Sequence, residues 1–314
     1  MKIAFFETKP EEKEFFRKNL PNEELFFFDD TINNTLQEEV DYDVVSIFIH
    51  SCITDVILNK LPRLQYLQTR STGYDHIKCQ ALYKRGLVVS NVAGYGGPAV
   101  AEFAFSLLLN ATRKTYKALQ QTKEDNFEYS DLKGTELYGK TLGILGLGTI
   151  GSQMACIAKG FGMRIVAHSR TRKDIVDELG ITFCDFEKVL AQSDVLMIAL
   201  PLTPATKNLL NEQSVKNIKE DVIIVNTSRG EIIEDRLYKK MDNIFCLDVI
   251  SDTSYVQEAN VLYTPHMAYF TKEALERIMN ISLVNIEAFI KDEPLPNCLK
   301  LACKRDYNEN RMEK

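Results

Sequence analysis

Short apolar runs alternate with amphipathic stretches along the whole chain, a pattern typical of parallel sheets covered by helices. The first group of runs predicts five strands, at residues 3–6, 25–28, 44–49, 64–68 and 88–92. The second group predicts six strands, at residues 142–145, 164–167, 195–200, 222–226, 244–248 and 261–263. We therefore predict an α/β protein with two doubly wound parallel sheets, a flavodoxin-like one and a Rossmann dinucleotide-binding one.

Two long helical patterns lie outside these strands, one between the two groups and one after the second group. Residues 98–119 carry an apolar stripe at helical spacing, with Pro98 at a favourable first position. A second helix is predicted over residues 272–290, after the last strand, so that the chain returns to the first domain. A length of 314 residues is long for one hydrophobic core. The predicted domains are residues 1–97 with 271–314, for the substrate, and residues 98–270, for the dinucleotide.

Composition narrows the class of protein. With 45% hydrophobic residues, 26% charged residues and a net charge of −6, the chain resembles globular proteins without a basic field for nucleic acid or a membrane surface. Seven scattered cysteines without a C-x-x-C pair favour reduced thiols. The N-terminus lacks a signal-peptide pattern, so we expect a cytoplasmic protein with no membrane partner. We assign no metal ligands.

A Gly-x-Gly-x-x-Gly turn joins the strand at 142–145 to a helical pattern. Gly146 permits the tight turn, Gly148 leaves room for a pyrophosphate, and Gly151 lets the helix pack on the strand. The N-terminus of the helix, with Thr149 and Ile150, faces the anion with free N–H groups and a partial positive charge. This turn predicts a dinucleotide site.

The end of the next strand indicates which dinucleotide is bound. An acid is expected there to hold the adenosine ribose, but the sequence places Ser169 at that position, followed by Arg170 and Thr171. Arg170 can hold a 2′-phosphate through paired hydrogen bonds, and the two hydroxyls can add donors. The pattern favours NADPH over NADH. In the alternative interpretation, Arg170, Arg172 and Lys173 form a solvated basic loop.

Two later strand ends supply reactive side chains. Arg229 directly follows a buried strand, where an arginine can grip a carboxylate at two points and polarise an adjacent carbonyl. His266 follows another strand, where an imidazole can exchange a proton with an alcohol or a developing alkoxide. Together they indicate a 2-oxo acid substrate. A structural ion pair for Arg229 and a polar histidine without a catalytic role remain as alternatives.

Several motifs resemble the D-isomer-specific 2-hydroxyacid dehydrogenase family over nearly the whole chain. They are STGYDHI at 71–77, NVAGYGGPAVAEFAF at 91–105, GLGTIG at 146–151, LPLTPATKNLL at 200–210, NTSRG at 226–230, TPHMA at 264–268 and NIEAFIKDEPLPN at 285–297. The pattern around Tyr95 and the HMAYFT run are most similar to the D-lactate dehydrogenase branch.

The resemblance implies two halves, flavodoxin-like and Rossmann-like, and a homodimer. It implies that Arg229 binds the substrate carboxylate and carbonyl, and that His266 is the acid or base. It further implies substrate contacts at the backbone of Thr72 and Gly73 and at the side chains of Tyr95 and Tyr269. We also assign to the cofactor site Pro201, Thr227 and Asp248.

One position departs from the family pattern. The family pairs its histidine with a glutamate five residues past the aspartate matching Asp248, and here that position is Thr253. A carboxylate beside His266 would raise its pKa and hold its tautomer, so the loss would weaken proton transfer. Asp252 is the nearest substitute, and Glu258 is the next. Alternatively, both are ordinary loop carboxylates.

Three hypotheses follow from these residues. The first is an NADPH-preferring reductase that passes hydride to a small 2-oxo acid and gives a D-2-hydroxy acid, with Arg229, His266 and Asp252 as its catalytic residues. The second is a regulatory protein that binds NAD(P)H with little or no turnover, motivated by Thr253. The third, an amino-acid dehydrogenase, requires a catalytic lysine, and we find none at these strand ends.

Overall fold

The computed structural model describes residues 1–77, 82 and 85–299. The chain divides into two compact units. One contains Met1–Tyr95 and the chain from Lys272 onward, and the other contains Gly96–Thr271. These boundaries lie within two residues of the predicted ones.

The first unit contains a parallel sheet in the order β2-β1-β3-β4-β5. Its strands are β1 (Lys2–Phe5), β2 (Glu24–Phe27), β3 (Val44–Ile47), β4 (Tyr66–Thr69) and β5 (Val88–Ser90). The order is that of flavodoxin-like sheets. The strands are short and mostly buried because helices cover them, as expected for a parallel sheet.

The second unit contains a seven-stranded parallel sheet in the order β12-β11-β10-β9-β6-β7-β8. Its strands are β6 (Thr141–Leu145), β7 (Arg164–His168), β8 (Thr182–Phe183), β9 (Val195–Ile198), β10 (Ile223–Asn226), β11 (Phe245–Leu247) and β12 (Val261–Tyr263). Six strands follow the Rossmann order and β12 extends one edge. The two doubly wound parallel sheets confirm the predicted fold class.

The helices of the described chain flank these sheets. They are α1 (Pro10–Asn19), α2 (Ile32–Thr35), α3 (Asp55–Asn59), α4 (Gly97–Arg113), α5 (Thr115–Lys123), α6 (Thr149–Gly160), α7 (Ile175–Glu178), α8 (Phe186–Gln192), α9 (Leu237–Lys240) and α10 (Lys272–Ile290). Within the described ranges, 3-10 turns lie at Ser130–Leu132, Ser214–Asn217, Gly230–Ile232 and Thr253–Gln257. The span of α10 matches the predicted one. Its apolar stripe packs in the first unit, where Phe289 stacks on Tyr66 with ring centroids 4.7 Å apart.

Two sequence predictions need correction. The helix predicted over 98–119 is broken at Lys114, whose φ of 52° is left-handed, because periodicity alone does not detect a single left-handed residue. The two-residue edge strand β8 was not predicted, since a run that short carries no readable alternation.

Four of the five cysteines that the structure describes are reduced, as predicted, and Cys79 and Cys303 lie outside the described residues. Cys52, Cys156, Cys184 and Cys246 are free thiols. Cys298 is disulfide-bonded, so the prediction is wrong at that position. Spacing along the chain does not show which cysteines the fold brings together. In the described part of the chain, no helix has the length and apolarity that a bilayer span requires.

Candidate active site

The glycine turn lies at the carboxyl end of β6, where the strand order of the second sheet reverses. Gly146 has a φ of +98°, and a Cβ there would lie 2.5 Å from the Ala199 carbonyl oxygen. A Cβ on Gly151 would lie 1.9 Å from the Gly146 oxygen. A Cβ on Gly148 would meet no atom within 4 Å. Two of the glycines therefore close the turn, and the third borders open space.

Open space at Gly148 coincides with the start of α6. Gly148 is the N-cap of this twelve-residue helix and provides no side-chain cap. The first N–H groups of α6 therefore have no acceptor from a cap side chain at the end of the helix that borders this open space. Free amides at the positive end of a helix dipole suit a pyrophosphate, so these residues fit a dinucleotide.

The loop after β7 contains the predicted ribose-binding residues. Ser169 is half-buried, and Arg170 and Thr171 are exposed. Arg172 forms an ion pair with Asp177, and its guanidinium carbon lies 5.9 Å from the centre of the Phe183 ring. For Arg170, no hydrogen bond or ion pair of the guanidinium occurs among residues 1–77, 82 and 85–299. Arg170 is therefore the arginine in this loop that is free to meet a phosphate.

The loop after β10 holds Arg229. The Asn226 side chain donates to the Arg229 carbonyl at 2.8 Å and accepts the Ser228 N–H at 3.0 Å. The Ser228 hydroxyl donates to the Ile198 carbonyl on β9 at 2.7 Å. Arg229 itself is half-buried and donates from Nη1 to the Ser228 carbonyl at 2.8 Å. The loop is fixed by the end of β10 and by the neighbouring strand β9, which restricts where the guanidinium can point.

Two further features lie beside Arg229. A Cβ on Gly230 would lie 2.3 Å from the Ser251 nitrogen, so only glycine lets this loop approach the segment after β11. The buried Thr227 hydroxyl has no hydrogen-bond partner in the described chain. Because an unpaired buried hydroxyl costs free energy, a ligand atom at Thr227 would satisfy it. Thr227 thus fits its predicted place in the cofactor site.

Asp248, at the end of β11, is completely buried and holds the segment that contains His266. Its carboxylate accepts the Thr264 hydroxyl at 2.7 Å and the N–H groups of Met267 at 2.9 Å and Ala268 at 2.8 Å. Its carbonyl accepts the His266 N–H at 3.0 Å. This clamp was not predicted, although an acid directly after a buried strand could have indicated it. Its predicted contact with the cofactor stays a prediction.

His266 is half-buried and has a left-handed backbone, with φ of 53°. A non-glycine residue in that region is strained, and the bonds to Asp248 on either side keep it there. The His266 ring meets the Tyr269 ring edge to face, with centroids 6.2 Å apart. The structure therefore brings together two predicted site residues, His266 and Tyr269.

The segment after Asp248 contains the two candidate partners of His266. The exposed Asp252 carboxylate accepts the Ser254 N–H at 2.9 Å and caps the 3-10 turn that begins at Thr253. That hydrogen bond lowers the pKa of Asp252, so the group is an anion near neutral pH. Glu258 forms an ion pair with Lys239 at 3.5 Å. The pairing of Asp252 with His266 stays a prediction.

In the first unit, the predicted substrate loop follows β4. The Thr72 hydroxyl donates to the Val92 carbonyl at 2.9 Å, and the Asn91 side chain donates to the Thr72 carbonyl at 2.8 Å. The Ser71 hydroxyl donates to the Gly73 carbonyl at 2.6 Å. Tyr95 is 7% exposed and its carbonyl accepts from Arg277 Nε at 2.8 Å. Thr72, Gly73 and Tyr95 stay predicted substrate contacts.

Arg70, just before this loop, was not identified from the sequence. It is 1% exposed and donates to the carbonyls of Phe6 at 2.7 Å, Glu7 at 3.0 Å and Ser46 at 3.2 Å. Its Nε lies 3.4 Å from Glu12 Oε1, within ion-pair distance but without hydrogen-bond geometry. The Glu7 carboxylate accepts three N–H groups, those of Phe48, His50 and Ser51. The sequence pattern around Arg70 does not indicate that its side chain is buried, because charged residues are usually exposed.

Residues 105–268 match the family model described as the NAD binding domain of D-isomer specific 2-hydroxyacid dehydrogenases. The D-lactate dehydrogenase of Escherichia coli (strain K12) is 33% identical, over 95% of this chain and 99% of that protein. Its apo structure superposes with a TM-score of 0.84 over 95% of this chain and all of that one, at 32% identity.

Two other proteins extend the similarity. The D-lactate dehydrogenase of Aquifex aeolicus, solved with NAD and lactic acid, gives a TM-score of 0.84 at 27% identity, over 93% of this chain and 96% of that one. The glyoxylate reductase of Thermococcus litoralis is 33% identical, over 83% of this chain and 85% of that protein.

Proposed function

Because this chain belongs to the D-isomer-specific 2-hydroxyacid dehydrogenase family, we propose that it reduces a small 2-oxo acid to the D-2-hydroxy acid, with NADPH preferred to NADH. Hydride transfer between a nicotinamide dinucleotide and a 2-oxo acid is the chemistry of this family of oxidoreductases. The observation that carries the proposal is the placement of Arg229 after β10, Asp248 after β11 and His266 after β12, three adjacent strands of one sheet. Regulation without turnover finds no support and is not proposed.

The dinucleotide would be held by the Gly146 turn, the start of α6 and the Thr227 hydroxyl. When bound, it supplies the hydride. Gly148 leaves the space for the pyrophosphate, and the N–H groups of Thr149 and Ile150 lie at the positive end of α6. Pro201 follows β9, the strand next to this turn, and its carbonyl accepts the Thr206 hydroxyl at 2.6 Å.

Arg229 and His266 would act directly on the substrate. The Arg229 guanidinium pairs with the carboxylate of the 2-oxo acid and polarises its carbonyl, because its planar donors match two oxygens at once. His266, protonated, donates to the oxygen that gains charge during reduction. Tyr269, in contact with the His266 ring, limits the room beside it and favours a small substrate.

Asp252 would keep His266 protonated in place of the family's glutamate. Its carboxylate is anionic. Asp252 directly follows Ile250 and Ser251, whose backbone packs on Gly230 in the loop of Arg229. Its hydrogen bond to Ser254 competes with this role, so we expect a weaker partner than a dedicated glutamate. A weaker partner would leave the pKa of His266 lower than in relatives with that glutamate. Because reduction needs the protonated imidazole, the reduction rate would then fall at a lower pH than in those relatives.

The NADPH preference is proposed from the loop after β7. Ser169 carries no charge to repel a 2′-phosphate, and Arg170 has an uncommitted guanidinium. The Aquifex aeolicus relative was solved with NAD, so this preference is a property that we propose for this chain and not for the family.

Steady-state reduction of pyruvate, glyoxylate, hydroxypyruvate and a branched 2-oxo acid, each with NADPH and with NADH, tests the proposal. We expect turnover of a small 2-oxo acid that falls by about 10²–10⁴ in His266→Ala. We expect Arg170→Gln to raise the KM for NADPH by about tenfold, the value of one charge-assisted hydrogen bond, and to leave that for NADH nearly unchanged. Arg172→Gln is the matched control, because Arg172 is already paired with Asp177.

Absence of reduction with either cofactor would overturn the proposed reaction. A wild-type protein that uses NADH better than NADPH, with Arg170→Gln indistinguishable from wild type, would overturn only the cofactor preference. The two results are therefore independent.

A homodimer is also proposed, through the exposed stripe of α4. Glu102, Ser106 and Arg113 lie exposed along this helix, and α5 has no buried residue. In a two-fold symmetric dimer, the α4 helices of the two copies would pack antiparallel and cross at Ser106. Glu102 of each copy would then lie toward the end of the other copy's α4 that contains Arg113. Sedimentation should give a dimer that Ser106→Arg dissociates; a monomeric wild type would contradict the idea. The cytoplasmic location stays a prediction.

A further inference from the structure

A pocket of about 470 Å³ lies at the amino ends of β6, β7 and β8. Thr141, Arg164 and Thr182, the first residues of these strands, line it. In open α/β sheets the substrate and cofactor sites lie at the carboxyl ends of the strands. This pocket is therefore at the opposite end of the sheet from the Gly146 turn, and the proposed reaction makes no use of it.

Positive charge dominates the lining. Lys159, Arg164 and Lys219 contribute cations, and none of the lining side chains is acidic. Lys219 is neutralised by Asp194, whose carboxylate lies 2.7 Å from the ammonium. The Lys159 ammonium donates to the Leu179 carbonyl at 3.1 Å, which leaves its charge uncompensated. For Arg164, the residues that the structure describes provide neither a hydrogen bond nor an ion pair to the guanidinium.

The electrostatic field of the groups around this pocket favours an anion. Lys140 lies close enough to act electrostatically on Asp194 and adds a further positive charge beside the pocket. The carboxyl end of the α6 dipole points at this region and disfavours an anion, but Lys159 in its last turn offsets that term. Two uncompensated cations in one concave site attract a dianion more strongly than a monoanion.

Shape and chemistry restrict the ligand further. A guanidinium can hold two oxygens of a phosphate at once, and an ammonium adds a point charge. The volume exceeds that of a phosphate, and Met163 and Leu179 form an apolar part of the wall. Pockets of this size hold small organic molecules. The ligand class that matches is a small organic phosphate, with its phosphate between Lys159 and Arg164.

We propose that this pocket is a second anion site, specific for a small organic phosphate and separate from the dinucleotide site. Thr141, the first residue of β6, and Gly146, the residue after its last, border the two sites. The proposal does not depend on the proposed reaction, since it concerns residues that take no part in it.

Isothermal titration with glycerol 3-phosphate and inorganic phosphate, at constant ionic strength and with saturating NADPH, tests it. NADPH bound at the Gly146 turn would exclude phosphate from that turn, and the variants of Arg164 and Lys159 separate this pocket from the proposed anion site at Arg229. We expect wild type to bind glycerol 3-phosphate, and both Arg164→Gln and Lys159→Gln to weaken that binding at least tenfold. Lys123→Gln, the same charge change at the exposed end of α5, should bind like wild type.

Each other outcome overturns the proposal. Wild-type binding that disappears when NADPH is added would place the phosphate at the dinucleotide site. Equal binding by Arg164→Gln, Lys159→Gln and wild type would remove these residues from any phosphate site. No millimolar binding by wild type would show that the pocket takes no phosphate. Unchanged NADPH affinity in both variants establishes that they are folded.

Discussion

The two sheets hold the loops at their carboxyl ends with opposite charges. In the first unit Arg70 donates to the backbone carbonyls of Phe6, Glu7 and Ser46. In the second unit Asp248 accepts the N–H groups of Met267 and Ala268. Every buried backbone group needs a partner, so the direction in which a loop turns its amides and carbonyls decides the sign of the buried ion.

The Arg70 and Asp248 side chains also differ in how many elements of the fold they contact. The Arg70 side chain extends from the end of β4 to residues after β1 and within β3, so it joins three strands. Asp248 holds only the segment from Thr264 to Ala268. Burial lowers the pKa of the Arg70 guanidinium, and the neighbouring Glu12 and Glu7 oppose that shift. Loss of Arg70 should therefore destabilise a whole sheet, whereas loss of Asp248 should displace only the segment that contains His266.

Arg70→Met gives the largest expected effect. The substitution keeps much of the volume but leaves the Phe6 and Glu7 carbonyls without the Arg70 donor and Glu12 without its buried cation. The Ser46 carbonyl keeps the Phe6 N–H as a donor. Removing one member of a buried charged network costs about 3–5 kcal/mol in the free energy of unfolding. Urea unfolding followed by circular dichroism measures that loss.

Arg63→Met is the matched control for Arg70. Its side chain is 58% exposed and pairs with Asp43 at 3.3 Å. Asp43 is buried but keeps the Lys2 N–H as a donor, and the Arg63 end of the pair is screened by water, so we expect a loss of about 1 kcal/mol. If Arg70→Met lost no more stability than Arg63→Met, the view of Arg70 as the link between three strands would be wrong.

Asp248→Asn should lower kcat, through the position of His266, more than it lowers the stability of the fold. An amide supplies one acceptor oxygen where two are used, so one N–H of Met267 or Ala268 would face an NH2 group. We expect unfolding free energy to fall by about 1–3 kcal/mol, and kcat to fall by about a hundredfold because His266 shifts. Assays with saturating cofactor and substrate measure kcat. Asp242→Asn, at an exposed aspartate, should change neither quantity, and a normal kcat in Asp248→Asn would refute the positioning role.

Asp194→Asn should show the smallest effect, at the amino edge of the second sheet. Burial acts to raise the pKa of Asp194, but hydrogen bonds from Lys219 and the Thr141 N–H outweigh it and hold the pKa below 3.8. A lowered pKa means that the stabilisation is complete above the unfolded pKa and is lost as pH falls through the folded one.

The wild type should therefore exceed Asp194→Asn by about 1 kcal/mol of unfolding free energy at pH 7. That difference should shrink as the pH falls below 3.8, as urea unfolding over a pH series would measure. A difference that stayed constant with pH would show that the Asp194 charge does not hold β6.

Long periodic elements and glycine turns could be predicted from the sequence. The helix Lys272–Ile290 was predicted with its observed ends, because its apolar positions repeat over five turns. Gly146 was assigned to the turn from the Gly-x-Gly-x-x-Gly spacing, and its φ of +98°, in the region that favours glycine, agrees with that assignment. The break at Lys114 was missed because one left-handed residue leaves the periodicity on both sides intact.

The sequence by itself determined the two parallel sheets, the glycine turn of the dinucleotide-binding domain and the strand-end positions of the candidate residues Arg229 and His266, because each depends on neighbours close along the chain. Only the tertiary structure decided that Arg172 is already paired, that Asp248 fixes the His266 backbone and that Arg70 is buried. These contacts join residues up to 64 positions apart. Hydrogen bonds and burial at such separations depend on strand order, which no local pattern encodes.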